Sequence, residues 1–233
     1  MAWDVPFVGV NHMEAHLYAA SLEDPTLEFP LLVLLVSGGH TMLVDMQDHG
    51  RYRLVGQTID DAAGEAFDKV ARFLDLGYPG GPAIDRAALD GDPEAIRFPR
   101  AMMDDGFDFS FSGLKTSVMS YVRKHPDVSS PDVAASFQAA VVDVLVTKAR
   151  RAAAVTGATG IVLGGGVAAN SLLREEILGA CEQDGIQGFL PSRAMCTDNA
   201  AMIAAAGWYR LRSDGPTPLD VGATPNLRLP FLD

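Results

Sequence analysis

The chain has 233 residues, 48% hydrophobic and 21% charged, with 23 Gly and 14 Pro, a balance that excludes a disordered or fibrous protein. At this length roughly 70–75% of the unfolded chain's surface can be buried, so the core needs no staples, and one large domain or two lobes both fit. Against 30 Asp and Glu stand 18 Lys and Arg, and the net charge of −12 repels nucleic acid and anionic membrane on average while allowing a local basic patch.

The two cysteines, Cys181 and Cys196, have no ligand-like spacing, so a disulfide framework is not expected and a reducing cytoplasm is. The opening Met-Ala-Trp-Asp-Val-Pro has neither a basic region nor a long apolar run, so it is not read as a signal peptide. The longest apolar run, Leu31 to Val36, is too short to span a bilayer.

In chain order, residues 7–10 read as a short strand, with Asn11 capping a helix through about Leu22. Leu31–Val36, Thr41–Met46 and Tyr52–Val55 are three β-type runs parted by Ser37-Gly38-Gly39 and Asp48-His49-Gly50, which predicts an antiparallel meander. Ala62, Ala66, Val70, Phe73 and Leu74 then fall on one helical face, ending before Gly77. Tyr78-Pro79-Gly80-Gly81-Pro82 reads as irregular backbone, and a less regular stretch runs to about Ser112. A helix is predicted over 113–124, and the clearest one follows Ser130-Pro131, with Ser130 as cap and Pro131 first in the helix, to about Val155. Gly160–Leu163 is a buried-strand signature, followed by Gly164-Gly165-Gly166 and a helix from Asn170 to about Glu182. A strand near Gly188–Leu190, a helix from Asp198 to about Leu211 and a tail with four prolines from Pro216, read as a surface wrap, complete a mixed α/β order.

His12 and His16, at i and i+4, share a helix face with Cβ atoms about 6 Å apart, which suits one metal ion or two unrelated side chains equally. The motif is not the zinc-protease one: Glu14 points roughly 200° away from His12 on the wheel, and is expected to be solvated. Asp198 begins a helix and reads either as a cap or as the carboxylate of a two-histidine, one-carboxylate set suited to Fe(II) or Zn.

Three glycine turns, at Gly38-Gly39, Gly80-Gly81 and Gly164–Gly166, offer backbone N–H groups to an anion. Any one of them is explained by a hairpin or a helix end, but together they favour a nucleotide site, and the lack of GxxxxGK[ST] argues against a P-loop. Asp60, Asp61, Glu65, Asp68 and Asp85 are further acidic candidates, and for Glu65 and Asp68, near the start of a helix, helix-end electrostatics is the plain explanation.

The stretches NHMEAH (11–16), LVSGGHT (35–41), DDAAGEAFDKVA (60–71), YPGGPAID (78–85), FSFSGLKT (109–116), GGGVAAN (164–170) and CTDNAAMIAAAG (196–207) resemble the tRNA N6-adenosine threonylcarbamoyltransferase family, formerly called a glycoprotease, and follow that family's order along almost the whole chain. The resemblance implies an actin-like ATPase fold, two lobes around a nucleotide cleft. It implies threonylcarbamoyl transfer from its adenylate to N6 of the adenosine next to the anticodon, in tRNAs reading codons that begin with adenine. Carried over, His12, His16 and Asp198 are iron ligands, with zinc as an alternative, and Leu35, Val36, Ser37, Gly38, Gly39, Asp68, Gly81, Asp85 and Asn170 contact the adenylate or ATP. No general base is identified. The implied partners are tRNA, the paralogous subunit TsaB and the small ATPase TsaE, with a homo- or heterodimer possible, no membrane, and a cytoplasmic location.

Family members carry a further segment before NHMEAH, so the first lobe is expected to be incomplete here: 1–110 as its remainder and 111–233 as the second lobe. The tRNA would call on a basic face, for which Lys115, Arg123, Lys124, Lys148, Arg150 and Arg151 are candidates. Three other readings are a non-catalytic partner subunit, disfavoured because such paralogues lack the metal ligands, a metalloprotease, disfavoured by the position of Glu14, and a small-molecule kinase, which would not need HxxxH.

Overall fold

The computed structural model describes residues 5–24, 26–225, 227–229 and 231. Its centre is β1 (Leu31–Val36), whose six residues are all buried. Successive side chains of a strand face opposite sides. Leu32, Leu34 and Val36 enter one apolar cluster, and Leu31, Val33 and Leu35 enter another. The run therefore lacks alternation because both faces of the sheet are covered.

β1 continues into the expected meander, β2 (Thr41–Asp48) and β3 (Arg51–Gln57), each antiparallel to the strand before. On its other edge β1 pairs in parallel with β4 (Gly160–Gly164), and β4 with β5 (Gln187–Phe189), giving the order β3-β2-β1-β4-β5. Strands from both sides of residue 110 thus share one sheet. The expected division into 1–110 and 111–233 is corrected by this pairing, because separating those stretches would strip β4 from β1.

Helices α2 (Ala63–Phe73), α4 (Ser112–Lys124), α5 (Ser130–Thr156) and α6 (Ser171–Asp184) supply one cluster, in which Phe67, Val118, Phe137, Val141 and Leu145 meet β1 and β2. The second cluster joins α1 (His12–Leu17) and α7 (Ala200–Asp214) to the opposite face, through Ala15, Leu17, Met202 and Ala206.

Several local expectations are revised. Residues 7–10 form no strand. Phe7 and Gly9 instead bond one residue of the tail, the Phe7 carbonyl accepting from the Thr217 N–H at 2.8 Å and the Gly9 N–H donating to the Thr217 hydroxyl at 2.9 Å. Helix α1 ends at Leu17 rather than Leu22. The Gly80-Gly81-Pro82 segment opens a helix, α3 (Gly80–Ala88). Proline is tolerated in a first turn, where its missing N–H has no intrahelical partner to lose. Ser129, one residue earlier than expected, caps α5. Asn199 rather than Asp198 caps α7, which leaves the Asp198 carboxylate free of that duty. The tail is largely exposed, with Leu229 buried against the second cluster. No described helix is long and apolar enough to cross a membrane.

Candidate metal centre and nucleotide crevice

Asn11 builds the first half of the site. Its side-chain oxygen accepts from the Met13 and Glu14 N–H groups, and its amide donates to the Leu227 and Arg228 carbonyls at 2.8 and 3.1 Å. The helix so started places His12 and His16 on one face, with rings 5.0 Å apart. Asp198, just ahead of α7, supplies the second half: one of its carboxylate oxygens lies 3.2 Å from Nε2 of each histidine. The three ligand atoms lie within 4.8 Å of one another.

Two imidazoles and one carboxylate form the donor set of an open divalent-metal site. Burial, then the nearby His12 imidazole, hold the His16 pKa below the ordinary histidine value, which outweighs the raising effect of Asp198. A neutral imidazole is the form that ligates metal, so the residues present fit such an ion. His40 stands in the turn after β1, and burial followed by repulsion from His12 lowers its pKa too.

The glycine loops leave adjacent parallel strands beside this cluster. Ser37–His40 is closed by the Ser37 N–H donating to the His40 carbonyl at 2.8 Å, and the His40 N–H to the Ser37 hydroxyl at 3.1 Å. Next to it, Gly165 follows β4 with φ +82, and a Cβ there would stand 2.5 Å from the Val36 carbonyl oxygen. Only glycine lets the two loops approach so closely. Gly64, at the start of α2, abuts the Ser37 carbonyl in the same way, bringing a helix N-terminus to the turn. Around Gly38 and Gly39 the space is open. The arrangement is a crevice beyond the carboxyl ends of neighbouring parallel strands, where ligands of open α/β sheets bind. The carbonyl of His16 lies against Gly164, so the metal ligands border the same crevice.

The other residues expected to contact the adenylate lie in β1 and around α3. Leu35 and Val36 have wholly buried side chains, leaving only their backbone for a ligand. Asp68 accepts from the Gly80 N–H at 2.7 Å and so supplies the acceptor at the start of α3, next to Gly81. Asp85 accepts from the Ser171 hydroxyl at 2.6 Å and the Asn170 amide at 3.2 Å. Asn170 caps α6 through the Leu173 N–H and donates to Gln138 at 2.8 Å. Ser171 and the buried Gln138 were not singled out from sequence. Ser171 adjoins Asn170 and was within reach, whereas Gln138 lies in a helix with no motif-like spacing.

Two expectations are overturned. Glu14 is 2% exposed, not solvated, and is paired with Arg210 on α7. The basic face is largely spent on internal contacts: Lys115 pairs with Asp61, Arg150 with Asp184, Arg151 donates to the Met103 carbonyl, and Lys148 is fully buried against the Asp105 and Gly106 carbonyls. Arg123 lies over the Phe73 ring, and Lys124 is exposed. Asp60 and Asp61 are latches. Burial raises the Asp60 pKa, but hydrogen bonds from Ser110, Ser112 and the Phe111 N–H outweigh it and hold the carboxyl below its usual range. Glu65 pairs with Lys69 along α2.

The chain is similar to a family of known proteins. Residues 1–205 match the family model for TsaD, tRNA N6-adenosine threonylcarbamoyltransferase. Relatives of that name include the protein of Symbiobacterium thermophilum, 53% identical over 97% of this chain and 67% of its own length. That of Desulfitobacterium hafniense is 54% identical over 97% of this chain and 67% of its own length. That of Thermotoga neapolitana is 52% identical over 95% and 68%. The chain thus spans about two thirds of the length of these relatives. Among solved structures, HypF of T. kodakarensis superposes with a TM-score of 0.71 at 17% identity, covering 91% of this chain and 38% of that one. A full-length HypF in its phosphate- and nucleotide-bound form gives 0.70 at 13%, covering 93% and 45%. These likenesses carry the fold alone, the expected actin-like α/β architecture. By the family match and the identity to its relatives, the chain belongs to the tRNA N6-adenosine threonylcarbamoyltransferases, transferases that modify tRNA.

Proposed function

We propose that this chain transfers threonylcarbamoyl from threonylcarbamoyl-AMP to N6 of the adenosine next to the anticodon, in tRNAs reading codons that begin with adenine. The observation that carries the reading is the meeting of His12, His16 and Asp198 beside the glycine loops at the ends of β1 and β4. The three residues would hold one divalent ion, Fe(II) first and Zn second, which when bound supplies Lewis-acid polarisation. The open Gly38-Gly39 turn would offer backbone N–H groups to the phosphate of the adenylate, and the start of α2, brought close by Gly64, favours the same negative charge. Asp68, Gly81, Asp85 and Asn170 would border the adenosine. They are held in place by α3, Ser171 and Gln138.

In the transfer, N6 attacks the carbamoyl carbon, the bond from that carbon to the phosphate oxygen breaks, AMP leaves, and N6 loses a proton. Backbone donors of the glycine loops would stabilise the developing oxyanion. A chain of net charge −12 needs help to hold tRNA, and the partners inferred for it are TsaB and TsaE, with dimer formation, in the cytoplasm.

The test supplies preformed threonylcarbamoyl-AMP, unmodified tRNA and the partner proteins to the wild-type chain and to His16→Ala. Modified nucleoside with the first and none with the second supports the reading. Equal yields from both overturn it. A non-catalytic partner subunit is the second reading, and it is favoured if neither forms product.

A further inference from the structure

Helix α1 is six residues long, too short to hold a conformation or a direction by itself. Yet it must present two histidines to a carboxylate that arrives from the far end of the chain. Something has to fix α1 against α7, and the side chain between the two histidines does so. Glu14, 2% exposed, points away from His12 and His16 into the protein. There the Arg210 Nε donates to both of its oxygens, at 2.9 and 3.1 Å, with a further guanidinium nitrogen at 2.9 Å. The Tyr52 hydroxyl donates to Glu14 at 2.9 Å and lies 2.7 Å from that of Tyr18, and Asp214 holds the other side of Arg210 at 2.9 Å. The Arg210 guanidinium meets the buried Glu14 carboxylate through two of its nitrogens, and a charge-assisted contact of that kind fixes direction as well as distance. Arg210 lies roughly three turns along α7 from Asp198. The two helices are thus tied at two separated points, one at the ligands and one at Glu14.

We propose that Glu14 and Arg210 are positioning residues of the metal centre, their ion pair setting the angle of α1 to α7 at which His12, His16 and Asp198 converge. The proposal rests on the metal reading given above. It explains why a glutamate stands inside the HxxxH spacing without facing the ion, and why its partner lies late in α7. Neither residue belongs to the ligand set of His12, His16 and Asp198.

Cobalt(II) alone serves as the probe, titrated into the wild-type chain, into Glu14→Gln combined with Arg210→Met, and into Arg210→Lys, with circular dichroism reporting folding. The folded double variant is expected to bind Co2+ about tenfold to a hundredfold more weakly, the range for lost support behind metal ligands, with a changed visible d–d band. Arg210→Lys keeps the charge but loses the second nitrogen, and is expected to recover only part of both. Wild-type affinity and band in the folded double variant overturn the proposal. If that variant does not fold, Arg210→Lys decides: a shifted band supports the proposal and an unchanged one overturns it. A wild-type chain that takes up no Co2+ ends the metal reading itself, and the positioning claim falls with it, whereas tight binding by wild type and double variant alike ends only the latter.

Discussion

His16 and Asp198 meet at 3.2 Å although the first is 4% exposed and the second 74%. One ligand is therefore fixed by packing, and the other stands exposed on the loop before α7. Metal affinity should divide unequally between them. His16→Ala is expected to abolish binding, because it removes the pre-oriented donor. Asp198→Ala is expected to weaken binding but leave it detectable, since the two imidazoles remain. Equilibrium dialysis of Zn2+ against each variant checks the order, and equal losses would count against it.

Gly165 is one of the tight points of the crevice. With φ +82 and the Val36 carbonyl 2.5 Å from where a Cβ would stand, Gly165→Ala faces both backbone strain and a clash. A loss of at least about 2 kcal/mol in urea unfolding is expected. Gly166→Ala, where space is open, should cost less than half of that.

The Asp60 latch gives a pH signature. Its carboxyl pKa is raised by burial but lowered further by donors from Ser110, Ser112 and the Phe111 N–H, so the folded value lies below the unfolded one. A depressed carboxyl stabilises the fold above its unfolded pKa, and that contribution is lost as pH falls through the folded value. The stability gap between wild type and Asp60→Asn should therefore be full at about pH 7 and shrink as the pH falls below about 4. A gap that stays constant over that fall contradicts the latch.

Lys148 illustrates how a charge can mislead. It belongs to a cluster of basic residues on α5, yet it is fully buried and donates to the Asp105 and Gly106 carbonyls at 2.8 and 3.2 Å. Lys148→Met leaves those carbonyls without a donor and should cost about 2–4 kcal/mol. Lys124→Glu, at an exposed position, should stay within about 0.5 kcal/mol of wild type. Thermal unfolding of the two variants separates them.

Much of this was legible in the sequence because the signals are local. The β1–β3 meander follows from apolar runs between turn residues, α6 from Asn170 and its periodicity, and the histidine pair from helical spacing. What was not legible depends on distant partners. Gly80-Gly81-Pro82 reads as a breaker until Asp68, from the preceding helix, offers its carboxylate to the Gly80 N–H. Glu14 reads as solvated until Arg210 arrives from the far end of the chain. The lobe boundary expected at 110 fails because parallel pairing of β1 with β4 leaves no local mark, both strands being uniformly apolar. Among the described residues, the segment 7–10 bonds Thr217 and joins no ladder.

The proposed metal centre is closed by two ends of the chain at the mouth of the glycine crevice. Anomalous diffraction from crystals grown with Zn2+ tests it most directly. One ion is expected about 2.0–2.2 Å from Nε2 of His12, Nε2 of His16 and a carboxylate oxygen of Asp198. An ion bound elsewhere, with these three side chains left uncoordinated at saturating Zn2+, would contradict it.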